Sequence, residues 1–135
     1  YMFPQFPVAV SMVVTNRAQD KILLAKHADD DDFILFAGYI KKGENAEKTI
    51  PREIKEELGL DVVKAKYMSS RYHAKKEVLM LNFLVVVEDQ PIKLNTAELA
   101  EARWCAPEEA LQIIRKNTTA EFFLTNAVRE LKKKI

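Results

Sequence analysis

Three carboxylates crowd into "REIKEELGL" (residues 52–60): Glu53, Glu56 and Glu57. On a helix they are i, i+3 and i+4 neighbours, and like charges at that spacing repel. With Ile50 at zero and about 100° per residue, Glu57 falls near 340°, Glu53 near 300° and Glu56 near 240°. Ala46, Ile50, Ile54 and Leu58 form an apolar stripe between about −40° and +80° on the same wheel. The acids therefore make one flank, with Glu57 at the edge of the buried stripe. A carboxylate at such an edge is partly desolvated, which is costly without a compensating partner. Neighbouring carboxylates raise one another's pKa or recruit a cation. Hard divalent cations take oxygen ligands and commonly share them with substrate phosphates. The plain alternative is a solvated acidic face, and "EIKEE" alone does not separate the two.

The surroundings favour the cation. Glu44 and Arg52 supply opposite charges on either side of the helix start and can brace the loop between them. All three glycines of the chain, Gly38, Gly43 and Gly59, lie in or just before this stretch. Gly38 and Gly43 let backbone approach a ligand closely in "AGYIKKGE". Gly59, just past Leu58, fits the left-handed position that stops a helix. The segment is a discrete loop–helix unit.

Around it the chain alternates strands and helices. "VAVSMVVT" (8–15) is apolar and β-branched and reads as a buried strand. "NRAQD" is a turn and "KILLAKH" a second strand. "ADDDD" (28–32) reads as a solvated loop tip, since adjacent aspartates there make no preorganised cage. "FILFAGYI" (33–40) reads as a short strand entering a glycine turn, and "NAEKTIPREIKEEL" as the helix. Pro51 sits inside that helix and removes one N–H. A helix start near Asn45 or Ala46 would put it at the edge of the first turn, where the cost is smaller. "LDVVKAKYMSSRYH" and "VLMLNFLVVVE" read as strands, the second too apolar for an edge. "ELAEARWCA" (98–106) reads as a further short strand. "PEEALQIIRK" opens with proline and acids, a good helix start. "AEFFLTNAVRELKKKI" reads as an amphipathic helix whose Lys132–Lys134 suit the C-terminal dipole. Strands on both sides of one helix, followed by two more helices, imply an α/β fold with a mixed sheet between helices.

Composition bounds the rest. At 135 residues, residues 1–135 read as a single domain, with 48% hydrophobic and 30% charged residues. No apolar run reaches the ~18 residues that a membrane span needs. The net charge of +1, with acids and bases interleaved, argues against a dedicated nucleic-acid surface. The lone Cys105 excludes an internal disulfide and a multi-cysteine zinc site, reads as a buried small hydrophobe, and fits a cytoplasmic setting. The chain starts at Tyr1 without a signal-peptide pattern, which suggests a piece of a longer protein.

The pattern G-x5-E-x7-R-E-U-x-E-E-x-G-U, with U a bulky aliphatic, is the Nudix box. Gly38, Glu44, Arg52, Glu53, Ile54, Glu56, Glu57, Gly59 and Leu60 match every specified position. The chain thus resembles the Nudix hydrolases. "YMFPQFPVAVSMVVT", "LFAGYIKKGE", "LMLNF" and "ELAEARW" are similar to the catalytic domain of bacterial NADH pyrophosphatases, over essentially the whole chain. In those enzymes a zinc ribbon commonly precedes this domain. The resemblance implies an α/β/α sandwich and Mg²⁺- or Mn²⁺-dependent hydrolysis of a nucleoside diphosphate linked to another moiety. NAD(H)-like dinucleotides and ADP-ribose are the first substrates it suggests, and a homodimer the assembly.

The same resemblance implies roles. Glu53 and Glu57 bind metal, Glu56 shares an ion, and the Ala37 carbonyl and Glu98 add further ligands. Glu98 also occupies the family position for a distal general base, with Glu101 three residues on as the fallback. Glu56, Glu57 and Glu98 all stay open as the base, and Arg52 positions the loop through Glu44. For substrate the candidates are Ser70, Arg71 and Tyr72, with His73, Lys75 and Lys76 as further anion or base contacts. Trp104 reads as core. One departure matters. The relatives carry Ser-Gln-Pro-Trp-Pro-Phe-Pro after the box, linked to NADH selectivity. Here "SRYHAKKEVLMLNF" keeps Ser70 and Leu79–Phe83 but not Arg71 to Lys76, so the resemblance by itself does not assign NADH as the preferred substrate. The rival class is a non-catalytic nucleotide-binding regulatory Nudix domain. Such domains often lose box glutamates, and none is lost here.

Overall fold

The computed structural model describes residues 5–97 and 99–133. Six strands form one mixed sheet: β1 (Val8–Thr15), β2 (Ile22–His27), β3 (Phe36–Tyr39), β4 (Val62–His73), β5 (Val78–Val87) and β6 (Leu99–Cys105). Among the described residues three helices accompany it: α1 (Ala46–Leu58), α2 (Pro107–Ile113) and α3 (Thr119–Lys132). The sheet order is β4-β5-β1-β2-β6. The β1–β5 pair is parallel and the other pairs are antiparallel. No described helix is long and apolar enough to cross a membrane.

The period of two along β1 divides the core. Val10, Met12 and Val14 pack with Ile50, Ile54 and Leu58 of α1 on one face. Val13 packs with Phe123, Leu124, Ala127 and Val128 of α3 on the other. The sheet is thus sandwiched between α1 and the α2–α3 pair, the α/β/α arrangement of the sequence reading. Cys105 is 1% exposed in the α3-side core, and burial pushes its thiol pKa up. Trp104 packs partly buried against the α1-side core. β5 lies inside the sheet, as its apolar run, broken only by Asn82, demands.

β1 is where the sheet divides. One edge pairs with β5 along its whole length, Val8↔Leu79 to Thr15↔Val86. The other edge is shared: β3 takes Ala9 to Met12 and β2 takes Val14 and Thr15. The strand expected over 33–40 accordingly contracts to Phe36–Tyr39, with Phe33 and Ile34 making only isolated bridges.

Helix α1 begins as its sequence directs. The Asn45 side chain caps the first turn by accepting from the Lys48 N–H at 3.1 Å. Gly59 ends the helix at φ 68°, its N–H donating to Lys55 O. Pro51 is a correction to the sequence reading. With Asn45 as the cap, Pro51 is the sixth helical residue, inside the second turn, so the full interior cost applies there. The helix continues through it because Ile50, Ile54 and Leu58 are anchored in the core.

Candidate active site

The loop before α1 is fixed by one carboxylate. Glu44 accepts from Arg52 through two bonds, Nε to Oε2 at 2.8 Å and Nη2 to Oε1 at 2.9 Å. It also accepts from the Thr49 hydroxyl at 2.7 Å and the Lys41 N–H at 3.1 Å. These donors, Arg52 first, hold the Glu44 carboxyl well below its ordinary value. Reciprocally, Glu44 and then Glu53 push the Arg52 guanidinium above its own. Gly43, at φ 82°, closes the turn.

Arg52 is a hub. Beyond Glu44 it reaches Glu53 at 2.9 Å, Glu56 at 3.3 Å and the Tyr39 carbonyl at 3.3 Å. Its guanidinium lies among the crowded carboxylates and offsets their repulsion. Glu57 is 9% exposed, at the core edge where the wheel puts it. Glu56 is over half exposed. Among the described residues no three His, Cys, Asp or Glu side chains converge into a ready ion cage.

The residues nonetheless fit a hard divalent cation in donor chemistry and in shape. Glu53 lies against Gly38, and a Cβ built there would stand 2.3 Å from the Glu53 carboxyl carbon. Only glycine lets that carboxylate approach β3 so closely. Near the other end of α1, residues 93–95 are tied down: Lys93 N–H donates to Leu58 O at 2.8 Å and Asn95 N–H to Glu57 O at 2.9 Å. Glu98, expected as a ligand or base, lies outside the described residues. The fallback Glu101 is engaged elsewhere, with Arg103 at 3.2 Å and Lys26 at 3.8 Å.

A trough opens from Gly38 across the α3 side of the sheet. Its floor is low because small side chains alternate on that face: Ala9 and Ser11 on β1, and Ala37 beside Ser11 on β3. A hollow of about 240 Å³ lies between Gly38, Tyr39, His73 and Lys76. One of about 270 Å³ follows, between Ala37, Met80, Thr118 and Thr119. The sequence reading included His73 and Lys76 among its candidates. It missed Tyr39, Thr118 and Thr119, although the small residues at positions 9, 11 and 37 were a readable sign of a depression.

The expected substrate residues are not brought together. A bulge between Tyr67 and Ser69 shifts the β4 register. Beyond it Arg71 pairs with Met80 and His73 with Val78, both on the α3 face that carries the trough. Ser70 pairs with Leu81, on the α1 face. Tyr72, two residues on, shares the Ser70 face and packs edge-on against Phe6 at 5.8 Å. Strand alternation thus separates Ser70 and Tyr72 from Arg71.

Comparison with known proteins agrees with this geometry. A sequence model described as the NUDIX domain matches residues 5–132. The chain is 31% identical over 131 residues to "NAD-capped RNA hydrolase NudC" of Photobacterium profundum, covering 95% of this chain and 49% of that protein. It is 30% identical over 124 residues to "NAD-capped RNA hydrolase NUDT12" of Macaca fascicularis, covering 90% and 27%. The chain therefore spans about half the length of the bacterial curated relatives it matches. A NUDIX hydrolase from Listeria monocytogenes superposes with a TM-score of 0.75 at 22% identity over 97% of both chains. The NUDIX domain of Shewanella oneidensis NrtR, complexed with ADP ribose, superposes at 0.73 with 16% identity, over 98% of this chain and 90% of that one. At those identities the structures speak for the fold, and the family rests on the matched domain sequence and the intact box: this chain belongs to the NUDIX domain family.

Proposed function

We propose that this chain is a divalent-metal-dependent pyrophosphohydrolase. It cleaves the diphosphate of a nucleoside diphosphate joined to a second moiety, with NAD(H)-like dinucleotides and ADP-ribose as the leading substrates. The observation that supports this reading is the seat of Glu53 against Gly38, a glycine that also lines the hollow between Tyr39, His73 and Lys76. Ligand sites generally run from roughly 300 Å³ upward, and the two hollows beside Ala37 together reach that range.

In this reading Glu53 and Glu57 hold Mg²⁺ or Mn²⁺, with Glu56, the Ala37 carbonyl and Glu98 as further ligands. A bound divalent ion would screen the diphosphate oxygens and ease deprotonation of the attacking water. The chain's own groups do the rest. A carboxylate, Glu56, Glu57 or Glu98, accepts the proton of that water. Arg52 keeps Glu53 and Glu44 in place. Lys76 and His73 meet the diphosphate from the hairpin side, and Arg71 an outlying anionic group. A soluble nucleotide is the substrate in the first instance. The similarity to NAD-capped RNA hydrolases adds the 5′ end of a dinucleotide-capped RNA as a longer form of the same substrate. A homodimer and a cytoplasmic setting complete the reading.

The test is a panel of NADH, NAD⁺, ADP-ribose and a nucleotide sugar, each with Mg²⁺, Mn²⁺ or chelator. Cleavage of one of these at the diphosphate, abolished by chelator, is the expected result. Absence of cleavage across the panel contradicts the proposal.

A further inference from the structure

The acidic tip of the β2–β3 loop has no part in the site described so far, yet it holds one residue of the trough wall. Arg115, two residues past α2, lines the hollow of about 270 Å³ together with Ala37, Lys76 and Thr118. Its guanidinium is engaged by that loop. Nη2 pairs with the Asp30 carboxylate, and Nε donates to Asp32 Oδ2 at 3.4 Å. The loop is folded so that both carboxylates meet the arginine. The Asp30 N–H donates to His27 O at 3.2 Å, and the Asp32 N–H to Asp30 Oδ1 at 3.1 Å.

The Arg115 backbone is fixed. Its N–H donates to Phe33 O at 3.0 Å, beside the Phe33–Ile114 bridge. Its carbonyl accepts from the Thr118 hydroxyl at 2.8 Å, and Thr118 in turn caps α3 by accepting from the Glu121 N–H at 3.2 Å. The side chain is held less firmly. The Arg115 side chain is 40% exposed and that of Asp32 57%, and ion pairs so open to water are weak. A phosphate offers the guanidinium fork two oxygens at once and makes a stronger, charge-assisted pair. Among its described lining residues the hollow has no acid to repel such an anion, and Lys76 is a second cation there.

We propose that Arg115 is a further substrate-binding residue, whose guanidinium passes from Asp30 and Asp32 to a phosphate of the nucleoside diphosphate in this hollow. Lys76 meets that phosphate group from the β4–β5 hairpin and Arg115 from the link between α2 and α3. The two aspartates act as an internal competitor. They keep the arginine at the hollow before substrate arrives, and part of the binding energy of the phosphate goes into displacing them. The inference rests on the hydrolase reading above and adds to it one binding residue and a role for the acidic loop.

The experiment measures KM and kcat for ADP-ribose in Mg²⁺, and ADP-ribose binding by calorimetry in chelator. Three variants stand beside wild type: Arg115→Gln, Asp30→Asn/Asp32→Asn and Asp29→Asn/Asp31→Asn. The last removes the same charge from the same loop, but Asp29 and Asp31 make no ion pair among the described residues. Arg115→Gln is expected to raise KM by about 10-fold, with kcat within about twofold of wild type. Asp30→Asn/Asp32→Asn is expected to lower KM by about 2- to 5-fold, a direction that local misfolding does not produce. Asp29→Asn/Asp31→Asn leaves KM at the wild-type value, and the calorimetric affinities follow the same order. Arg115→Gln with wild-type KM overturns the proposal, and so does a KM that stays or rises in Asp30→Asn/Asp32→Asn. Equal falls in the two aspartate pairs also overturn it, since loop charge alone would then act on the substrate. If wild type binds ADP-ribose without cleaving any substrate of the panel, the hydrolase reading fails, and calorimetry decides Arg115 by itself. If wild type neither binds nor cleaves ADP-ribose, the role of Arg115 is overturned.

Discussion

At the residue scale the site depends on one missing methyl group and one guanidinium. A Cβ at Gly38 would stand 2.3–2.6 Å from Glu53 side-chain atoms, too close for either group to stay in place. Those atoms end a flexible side chain, so in Gly38→Ala the carboxylate moves and the fold does not. The expected result is a denaturation midpoint close to wild type with activity lower by roughly 10²-fold, the usual cost of a reacting group displaced by about 1 Å. A large loss of stability with activity per folded molecule intact would show that Gly38 serves packing alone. Glu44 makes the second residue-scale prediction. Its pKa is depressed in the folded state, first by Arg52 and then by Thr49. The stabilisation is therefore fully present above the ordinary value of 4.5 and is lost as pH falls below it. Urea midpoints should show Glu44→Gln less stable than wild type at pH 7, with the gap narrowing steadily below about pH 4.5. A gap that widens on acidification would reverse the assigned sign.

At the scale of elements, α1 carries its own flaw. Pro51 in the second turn cannot donate to the Glu47 carbonyl, and its ring crowds that carbonyl. Pro51 is exposed and outside the carboxylate flank. Pro51→Ala should therefore raise stability by up to about 3 kcal/mol. The readout is the guanidinium midpoint at unchanged m-value, and a lower midpoint would mean that the proline supports the helix's approach to β4. The same helix shows why some of the site was legible. The Glu44–Arg52 brace, the Asn45 cap, the Gly59 stop and the edge position of Glu57 all follow from spacings within one helix and its loop. Local periodicity fixes such relations. β4 shows the opposite. A bulge after Tyr67 inverts which residues face the trough, so Arg71 and His73 turn inward and Ser70 and Tyr72 turn away. A bulge is set by how β4 meets β5, and nothing in the local alternation announces it.

At the scale of the whole molecule, the trough exists because β2 and β3 share one edge of β1 while α3 covers only part of the opposite face. Its walls come from residues near 10, 37, 73 and 118, far apart in sequence, which is why reading along the chain found the carboxylates but not the trough. The small floor residues give a direct check. Ala9→Leu should narrow the hollow beside Gly38 without touching Glu53. KM should rise by roughly 10-fold or more, with kcat changed less and a stability cost of about 1–3 kcal/mol from overpacking. Unchanged KM would place substrate elsewhere. The central claim, that the acidic flank of α1 drives diphosphate hydrolysis, is tested most directly by the initial rate of ADP-ribose cleavage in Mg²⁺ by Glu57→Gln, beside wild type of equal folded fraction. The account predicts a fall of roughly 10²-fold or more with the unfolding transition retained. A Glu57→Gln protein as active as wild type would contradict it.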